Sequence, residues 1–235
     1  MGVFTSLGIV IVAMVIMGSL QLSPGIFALF YHYASGKFSK KKTAHLAFFF
    51  ILGIEVLSAC IFLFSHYAVY ALFIGQSNPL DSILYWAIAG ILLALSGASF
   101  FFYFRRGSGT KLFIPREYAR SLNNYAKSVK DPIDAFTLGA FSTICELLFT
   151  LPLYLVTALE LMRMDTEFFT SPLLTVIYII VPTIPLFIMR LQFKNDYNLA
   201  DIQRTRVKDK NFTRITLGVC YFSVAILIIF FRALS

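Results

Sequence analysis

Six long, almost uncharged runs constrain this chain more than any other feature of its sequence. They cover residues 1–36, 44–80, 82–104, 135–159, 168–189 and 215–231. Glu55 and Glu146 are the only Asp, Glu, Lys or Arg residues within them. A helix needs about 20 apolar residues to cross about 30 Å of hydrocarbon. The pattern therefore predicts an all-α integral membrane protein with six transmembrane helices.

The composition agrees with a membrane protein and excludes a typical nucleic-acid-binding protein. Hydrophobic residues make up 58% of the chain, charged residues make up 14%, and the mean hydropathy is +0.78. The net charge of +8 comes from basic residues clustered between the apolar runs. We expect no nucleic-acid partner, because such clusters are typical of membrane topology signals. The membrane lipid itself is the first expected partner.

The basic residues predict how the helices are oriented. Of 20 Lys and Arg residues, four follow the first run, seven follow the third and seven follow the fifth. Only Arg163 and Arg232 lie elsewhere. Because Lys and Arg in short loops are retained in the cytoplasm, loops one, three and five are predicted to be cytoplasmic. The prediction is a multi-pass protein of the plasma (inner) membrane with its N-terminus and C-terminus outside.

Proline residues inside the first and fourth runs predict broken helices. Pro24 and Gly25 fall inside the first run, which at 36 residues is longer than one straight crossing needs. Pro152 follows Glu146 in the fourth run. Each break lies in the first helix of a three-helix half. Because each half crosses the membrane an odd number of times, the two halves are inverted relative to each other. We predict two inverted repeats, residues 1–104 and 135–235; alternatively, the prolines only shape helix packing.

The linker between the two halves, residues 105–134, is predicted to contain an amphipathic helix. Its apolar side chains recur at helical spacing and are Tyr118, Leu122, Tyr125 and Val129. Pro115 suits the start of this helix, and Pro132 ends it. The helix is expected either to lie on the cytoplasmic leaflet or to be a solvated linker.

The two carboxyl groups inside the runs are the strongest candidates for function. Glu55 lies near the middle of the second run and Glu146 near the middle of the fourth. An ionised carboxylate in hydrocarbon costs a few kcal/mol or more, and no Lys or Arg inside a run can pair with it. We expect each to be neutral or to bind a proton or cation transiently. The alternative is a protonated carboxyl that only donates to a backbone carbonyl near a kink.

Other residue types indicate no catalytic centre. Cys60, Cys145 and Cys220 are far apart in the sequence and form no metal-binding or disulfide pattern. The three His residues lie near predicted membrane edges. Neither a hydrolase triad nor a phosphate-binding or dinucleotide-binding loop is recognisable. We expect no enzyme activity, no catalytic residue, no metal and no cofactor.

Two short stretches form a recognisable pair: residues 23–29, followed by a basic loop and residues 50–53, and residues 146–155. They resemble the CcdA/DsbD-type cytochrome c biogenesis transmembrane family, within the LysE-like exporter group. Gly25 and Phe149 occupy the places at which that family has its redox cysteines. The resemblance therefore implies the six-helix scaffold with inverted halves, and it argues against the thiol chemistry.

The leading hypothesis is an exporter-like transporter of a small solute or ion, with its site between the two broken helices. The predicted site residues are Glu146, Glu55, Pro24, Gly25, Phe149, Thr150, Pro152 and Gln21. One alternative is a thiol or electron carrier that uses Cys145 with Cys60 or Cys220. Another is a non-transporting membrane subunit that binds a protein partner or lipid through its cytoplasmic basic loops.

Overall fold

The computed structural model of this protein is built from α-helices. It describes residues 2–20, 23–73, 79–101, 116–164, 170–193 and 210–233, and these contain no β-strand. The helices are α1 (Gly2–Leu20), α2 (Ser23–Ser35), α3 (Lys40–Phe73), α4 (Pro79–Phe101), α5 (Arg116–Ser128), α6 (Pro132–Arg163), α7 (Thr170–Ile180), α8 (Ile184–Phe193) and α9 (Lys210–Ile228). A 3-10 turn, Val181–Thr183, joins α7 to α8, and a π-helical turn, Ile229–Ala233, follows α9.

Four apolar helical segments among the described residues are long enough to cross a membrane. They are Lys40–Leu72, Ile83–Phe101, Pro132–Met162 and Leu173–Leu191. The apolar helices Phe4–Gly18 and Ile215–Phe231 are shorter. Large apolar side chains such as Phe64, Phe101 and Leu148 are more than 70% exposed on the outside of the helices, where lipid would cover them. The chain is a helical membrane protein, as predicted for the second to fifth runs.

The first run forms two helices, with Pro24 in the opening turn of the second. α1 ends at Leu20 and α2 begins at Ser23. Proline suits a first helical turn because the missing N–H has no intrahelical acceptor there. α1 packs against α6 and α9, whereas α2 packs against α3, α5 and α8. Gln21 lies outside the described residues.

The predicted break in the fourth helix is wrong. α6 is continuous from Pro132 to Arg163 and passes through Pro152, which is buried. Proline removes one N–H donor and disturbs the carbonyls of the turn before it, but neighbouring side chains can satisfy those carbonyls. Here the Tyr221 hydroxyl donates to the Phe149 carbonyl, in the turn before Pro152, at 3.2 Å. A tertiary hydrogen bond therefore satisfies one of the carbonyls that the proline disturbs.

A second interruption lies in the fifth run instead. The 3-10 turn Val181–Thr183 separates α7 from α8 and contains Pro182, and Pro185 follows in the first turn of α8. Neither proline can donate to a carbonyl one turn earlier, so the helix changes its hydrogen-bond pattern at this point.

α3 and α6 cross with almost no space between their backbones. A Cβ atom on Gly53 would overlap the Phe136 carbonyl oxygen, and one on Gly139 would overlap the Phe50 carbonyl oxygen. Towards the ends of both helices, the rings of Phe62 on α3 and Tyr154 on α6 are 6.4 Å apart. Because the contacting residues have increasing numbers on both helices, α3 and α6 run parallel. Small residues permit this approach, which lets two membrane helices gain dispersion energy in the absence of a hydrophobic driving force.

The amphipathic helix predicted in the linker is confirmed as α5, but its apolar face packs on the bundle. Leu122, Ala126 and Val129 are buried with residues of α2, α3 and α6, whereas Tyr118 is exposed. Asp134 then accepts from the backbone N–H groups of Lys130 and Asp131 at 3.1 and 3.3 Å, which caps the start of α6. The buried face of α5 therefore contacts protein, whereas the expected environments were the lipid leaflet and bulk water.

The described parts of the three basic loop regions lie at one end of the bundle. Lys37 Nζ donates to the Lys127 carbonyl at 2.6 Å, which joins the first and third regions. The Arg190 guanidinium lies 5.5 Å from the ring centroid of Phe48 near the start of α3, which brings in the fifth region. Loops one, three and five therefore lie at the same end of the bundle, as expected when two helices cross the membrane between each of these loops and the next.

Candidate functional site

A stripe of buried polar side chains follows one face of α6. Its members share one face of the helix, at spacings of up to two turns, and are Ser142, Thr143, Glu146, Thr150, Thr157 and Glu160. All of them are at most 6% exposed. From Ser142 to Glu160 the stripe is about 27 Å long at 1.5 Å per residue, which is close to the depth of a hydrocarbon layer. A helix in lipid turns such side chains inward because lipid offers them no hydrogen-bond partner.

Local hydrogen bonds set the polarity of this stripe. Ser142 and Thr143 donate to the Gly139 carbonyl at 2.8 and 3.3 Å, and Thr150 donates to the Glu146 carbonyl at 3.3 Å. Each hydroxyl proton is used within the helix, so the hydroxyl oxygens keep acceptor capacity towards the interior. The stripe can accept hydrogen bonds from a protonated or cationic species.

Glu146 lies one turn from the Ser142 end of the stripe and close to α3. Its side chain is 6% exposed and lies within electrostatic range of the Tyr154 hydroxyl. Ser58, one turn after Glu55 on α3, lies beside that same hydroxyl. Tyr154 and Ser58 therefore connect the neighbourhood of Glu146 with that of Glu55.

Glu55 is half-buried and is joined to the interruption of the fifth helix. The Thr183 hydroxyl in the 3-10 turn is hydrogen-bonded to Glu55 Oε1 and lies 2.7 Å from the Ile180 carbonyl oxygen. The end of α1 also reaches this turn, since a Cβ atom on Gly18 would lie 3.5 Å from Pro182 Cα. The interruptions of the first and fifth helices are thus close in space, and Glu55 lies beside one of them.

A tyrosine pair closes the space between α1, α6 and α7. The Tyr178 hydroxyl contacts Met17 Sδ at 2.8 Å, in addition to its bond to the Leu153 carbonyl. The Tyr178 ring lies edge-on to Tyr154 with 6.0 Å between centroids, and its hydroxyl lies beside Thr157. These aromatic rings separate the part of the stripe around Glu160 from the part around Glu146.

The structure gathers some of the predicted site residues and separates others. Glu146, Phe149, Thr150 and Pro152 lie together on α6, and Phe149 takes part through its carbonyl. The partly buried Pro24 and Gly25 lie in the first turn of α2. The predicted partner of that first break was the fourth helix, whereas the structure brings the end of α1 to the fifth helix at Pro182.

Sequence reasoning missed several polar residues of this interior. Thr183, Tyr154, Tyr178 and Ser58 had no charge or proline signal of their own. Glu160 is completely buried, although it stands one residue beyond the uncharged run. The helical spacing of Ser, Thr and Glu in α6 was the available signal, because it places them on one face.

Other candidate sites for metal binding or thiol chemistry are few in the described part of the chain. Cys60, Cys145 and Cys220 lie on α3, α6 and α9 as free thiols, and Cys60 is exposed. Among the described residues, no group of three or more His, Cys, Asp or Glu side chains could hold a metal ion.

Comparison with protein-family models, with curated proteins and with solved structures finds no match to this chain. The fold and the site define a helical membrane protein with a buried polar stripe. The CcdA/DsbD resemblance stays a prediction.

Proposed function

We propose that the protein is a multi-pass transporter that moves a small solute or ion through its helical bundle. The observation that carries this proposal is the buried stripe of α6, which combines two carboxyl groups with hydroxyl groups over about the depth of a membrane. A helix that only anchors a protein in lipid gains nothing from ionisable side chains along its buried face.

The transporter has six crossings arranged as two inverted halves. In chain order the crossings are α1 with α2, then α3, α4, α6, α7 with α8, and α9. A twofold relation between the halves pairs the first crossing with the fourth, the second with the fifth and the third with the sixth, and the members of each pair are in contact. The same twofold relation makes the contact between the first and sixth crossings equivalent to the contact between the third and fourth, and both contacts occur. The interruptions depart from this symmetry, since they lie in the first and fifth crossings.

The basic end of the bundle faces the cytoplasm of a cell with this protein in its plasma (inner) membrane. Lys and Arg residues of alternate loops are retained inside, and Lys37, Lys127 and Arg190 lie at one end of the bundle. Both termini are then outside.

Glu55 supplies the exchangeable group next to the 3-10 turn. A hydroxyl has one proton, so both bonds at Thr183 are made when Thr183 donates to the Ile180 carbonyl and a protonated Glu55 donates to Thr183. Loss of that proton leaves two acceptors for one hydroxyl, so Thr183 then donates to the Glu55 carboxylate and gives up the bond to the Ile180 carbonyl. Protonation of Glu55 thereby changes how the interruption of the fifth helix is bonded.

Reconstitution into liposomes tests the proposal. Rapid concentration jumps of protons, alkali cations, divalent cations and amino acids are applied on a solid-supported membrane, and the displaced charge is recorded. The wild type is expected to give a current with at least one of these solutes. The Thr150→Val variant, which removes a buried hydroxyl from the stripe, is expected to reduce that current.

Thr137→Val is the matched control. Thr137 lies on the same helix and makes the same type of local bond, to the Ile133 carbonyl at 2.8 Å, but its side chain is exposed. This variant should behave as the wild type. A folded wild-type protein that gives no current with any solute of the panel would contradict the proposed function.

A further inference from the structure

A cavity of about 1410 Å³ opens at the basic end of the bundle. It lies between the end of α2, the first turns of α3 and the last turn of α8. Its charged side chains come from two sides: Lys40, Lys41 and Lys42 from α3, and Arg190 from α8. Of the described residues that line it, none is acidic. The described lining of the cavity is therefore strongly positive.

Thr43 provides an independent sign that a ligand belongs in this cavity. Thr43 is among the residues that line the cavity, its side chain is 1% exposed, and its buried hydroxyl has no hydrogen-bond partner among the described residues. A buried hydroxyl without a partner is unfavourable, and a ligand oxygen in the cavity would accept its proton.

The start of α3 adds to the same preference for an anion. Ser39 caps the helix, with its Oγ accepting from the Lys42 backbone N–H at 3.4 Å and its carbonyl accepting from the Thr43 N–H at 2.9 Å. The first turn of a helix carries partial positive charge from its free N–H groups, and the first turn of α3 has lysines and no acidic residue. Three lysines at the positive end of a 34-residue helix repel that charge, and a bound anion would remove the repulsion.

We propose that this cavity binds a phosphate group. Arg190 would hold two phosphate oxygens with its planar fork, the lysines would neutralise the charge, and Thr43 would donate to a further oxygen. The same chemistry is offered by the headgroup of an anionic lipid and by a free phosphate. Leu191, 67% exposed on the apolar outside of α8, adjoins the cavity and gives a lipid chain a place to continue.

The test uses the full chain purified in a nonionic detergent. Thermal unfolding and native mass spectrometry are measured with dioleoyl phosphatidic acid, with dioleoyl phosphatidylcholine, and with inorganic phosphate against chloride at equal ionic strength. We expect phosphatidic acid to raise the melting temperature and to remain bound to the protein. If inorganic phosphate competes with the lipid, the cavity also takes free phosphate; if it does not, the site requires a lipid. Both results support a phosphate site.

Variants connect the binding to the cavity. Thr43→Val, which keeps the side-chain shape, and Arg190→Gln are each expected to weaken phosphatidic acid binding about ten-fold, since each removes hydrogen bonds to a charged group. Lys130→Gln removes an exposed charge that does not line the cavity, and it should bind as the wild type does. The proposal is overturned if neither phosphate source stabilises the wild type more than its control. It is equally overturned if all three variants bind alike.

Discussion

At the scale of single residues, Glu146 and Glu55 have different surroundings. Glu146 is enclosed within the stripe, whereas Glu55 is half-buried and bonded to a turn. An enclosed carboxyl that exchanges a proton and one that only donates a hydrogen bond respond differently to amide substitution, because an amide donates but does not titrate.

The first prediction concerns Glu146. The Glu146→Gln variant is expected to express and fold normally but to lose transport or its pH dependence, because the amide keeps hydrogen bonds and cannot carry a proton. The measurement is charge displacement in liposomes over a range of pH. Wild-type currents from the Gln variant at every pH would remove Glu146 from the mechanism. In that case Glu146→Ala should still lower the unfolding free energy by about 1 to 3 kcal/mol, for the unmade buried hydrogen bond.

The second prediction concerns the pair of Glu55 and Thr183. Glu55→Gln can donate to Thr183 permanently, so it is expected to keep the 3-10 turn bound to α3 and to leave transport independent of pH. Thr183→Val removes both bonds and should lower the unfolding free energy by about 1 to 2 kcal/mol. Thermal unfolding and the pH profile of the current measure these effects. A normal pH profile in Glu55→Gln would speak against a proton on this carboxyl.

The third prediction is that the thiols are dispensable. Cys60 is exposed on the apolar outside, and Cys145 and Cys220 are partly buried on different helices. Replacing all three by alanine should leave folding and transport largely unchanged, because Gly25 and Phe149 stand where the resembled family has its cysteine pair. Loss of all activity in a normally folded triple variant would instead favour the electron-carrier alternative.

At the scale of helices, the crossing of α3 and α6 depends on two glycines. Gly139→Ala is the fourth prediction: its methyl group would overlap the Phe50 carbonyl oxygen, so we expect destabilisation of about 1 to 3 kcal/mol or more, measured by unfolding in detergent. Gly97→Ala is the control, since nothing lies within 4 Å of an added Cβ there. Equal stability of both variants would show that the helices do not cross as closely as described.

The helices also explain which proline interrupts. Pro152 and Pro182 both lie in predicted crossings, but only the segment around Pro182 changes to a 3-10 turn. Neighbours differ at the two sites: Tyr221 donates to the Phe149 carbonyl in the turn before Pro152. The positions of the prolines in the sequence do not reveal which side chains will lie beside them.

At the scale of the whole molecule, the fifth prediction concerns orientation. Single cysteines at Lys41 and Ser121, on a cysteine-free background, should be shielded from an impermeant thiol reagent in intact cells. A cysteine at Ser77, chosen from the sequence alone, should be labelled. Lys41 and Ser121 are exposed at the basic end, so shielding reports the membrane side and not burial. Labelling of Lys41 from outside would reverse the proposed orientation.

The sequence by itself determined the class of the protein and several of its elements. Uncharged runs of sufficient length require helices in lipid, because each backbone polar group needs a partner within its own segment. The helical period of residues 116–129 was sufficient for the amphipathic helix, and Pro24 marked the start of α2. Glu55 and Glu146 were found because a charge inside an apolar run is visible without any structure.

Tertiary structure alone decided how these parts are combined. A carbonyl in the turn before Pro152 of α6 is satisfied by a tyrosine from α9, and the environment of Glu55 depends on Thr183, which is 128 residues away in the chain. The basic cavity likewise joins Arg190 to lysines of α3. In each case the deciding interaction lies between distant segments, and local propensity or periodicity carries no record of which segments pack together.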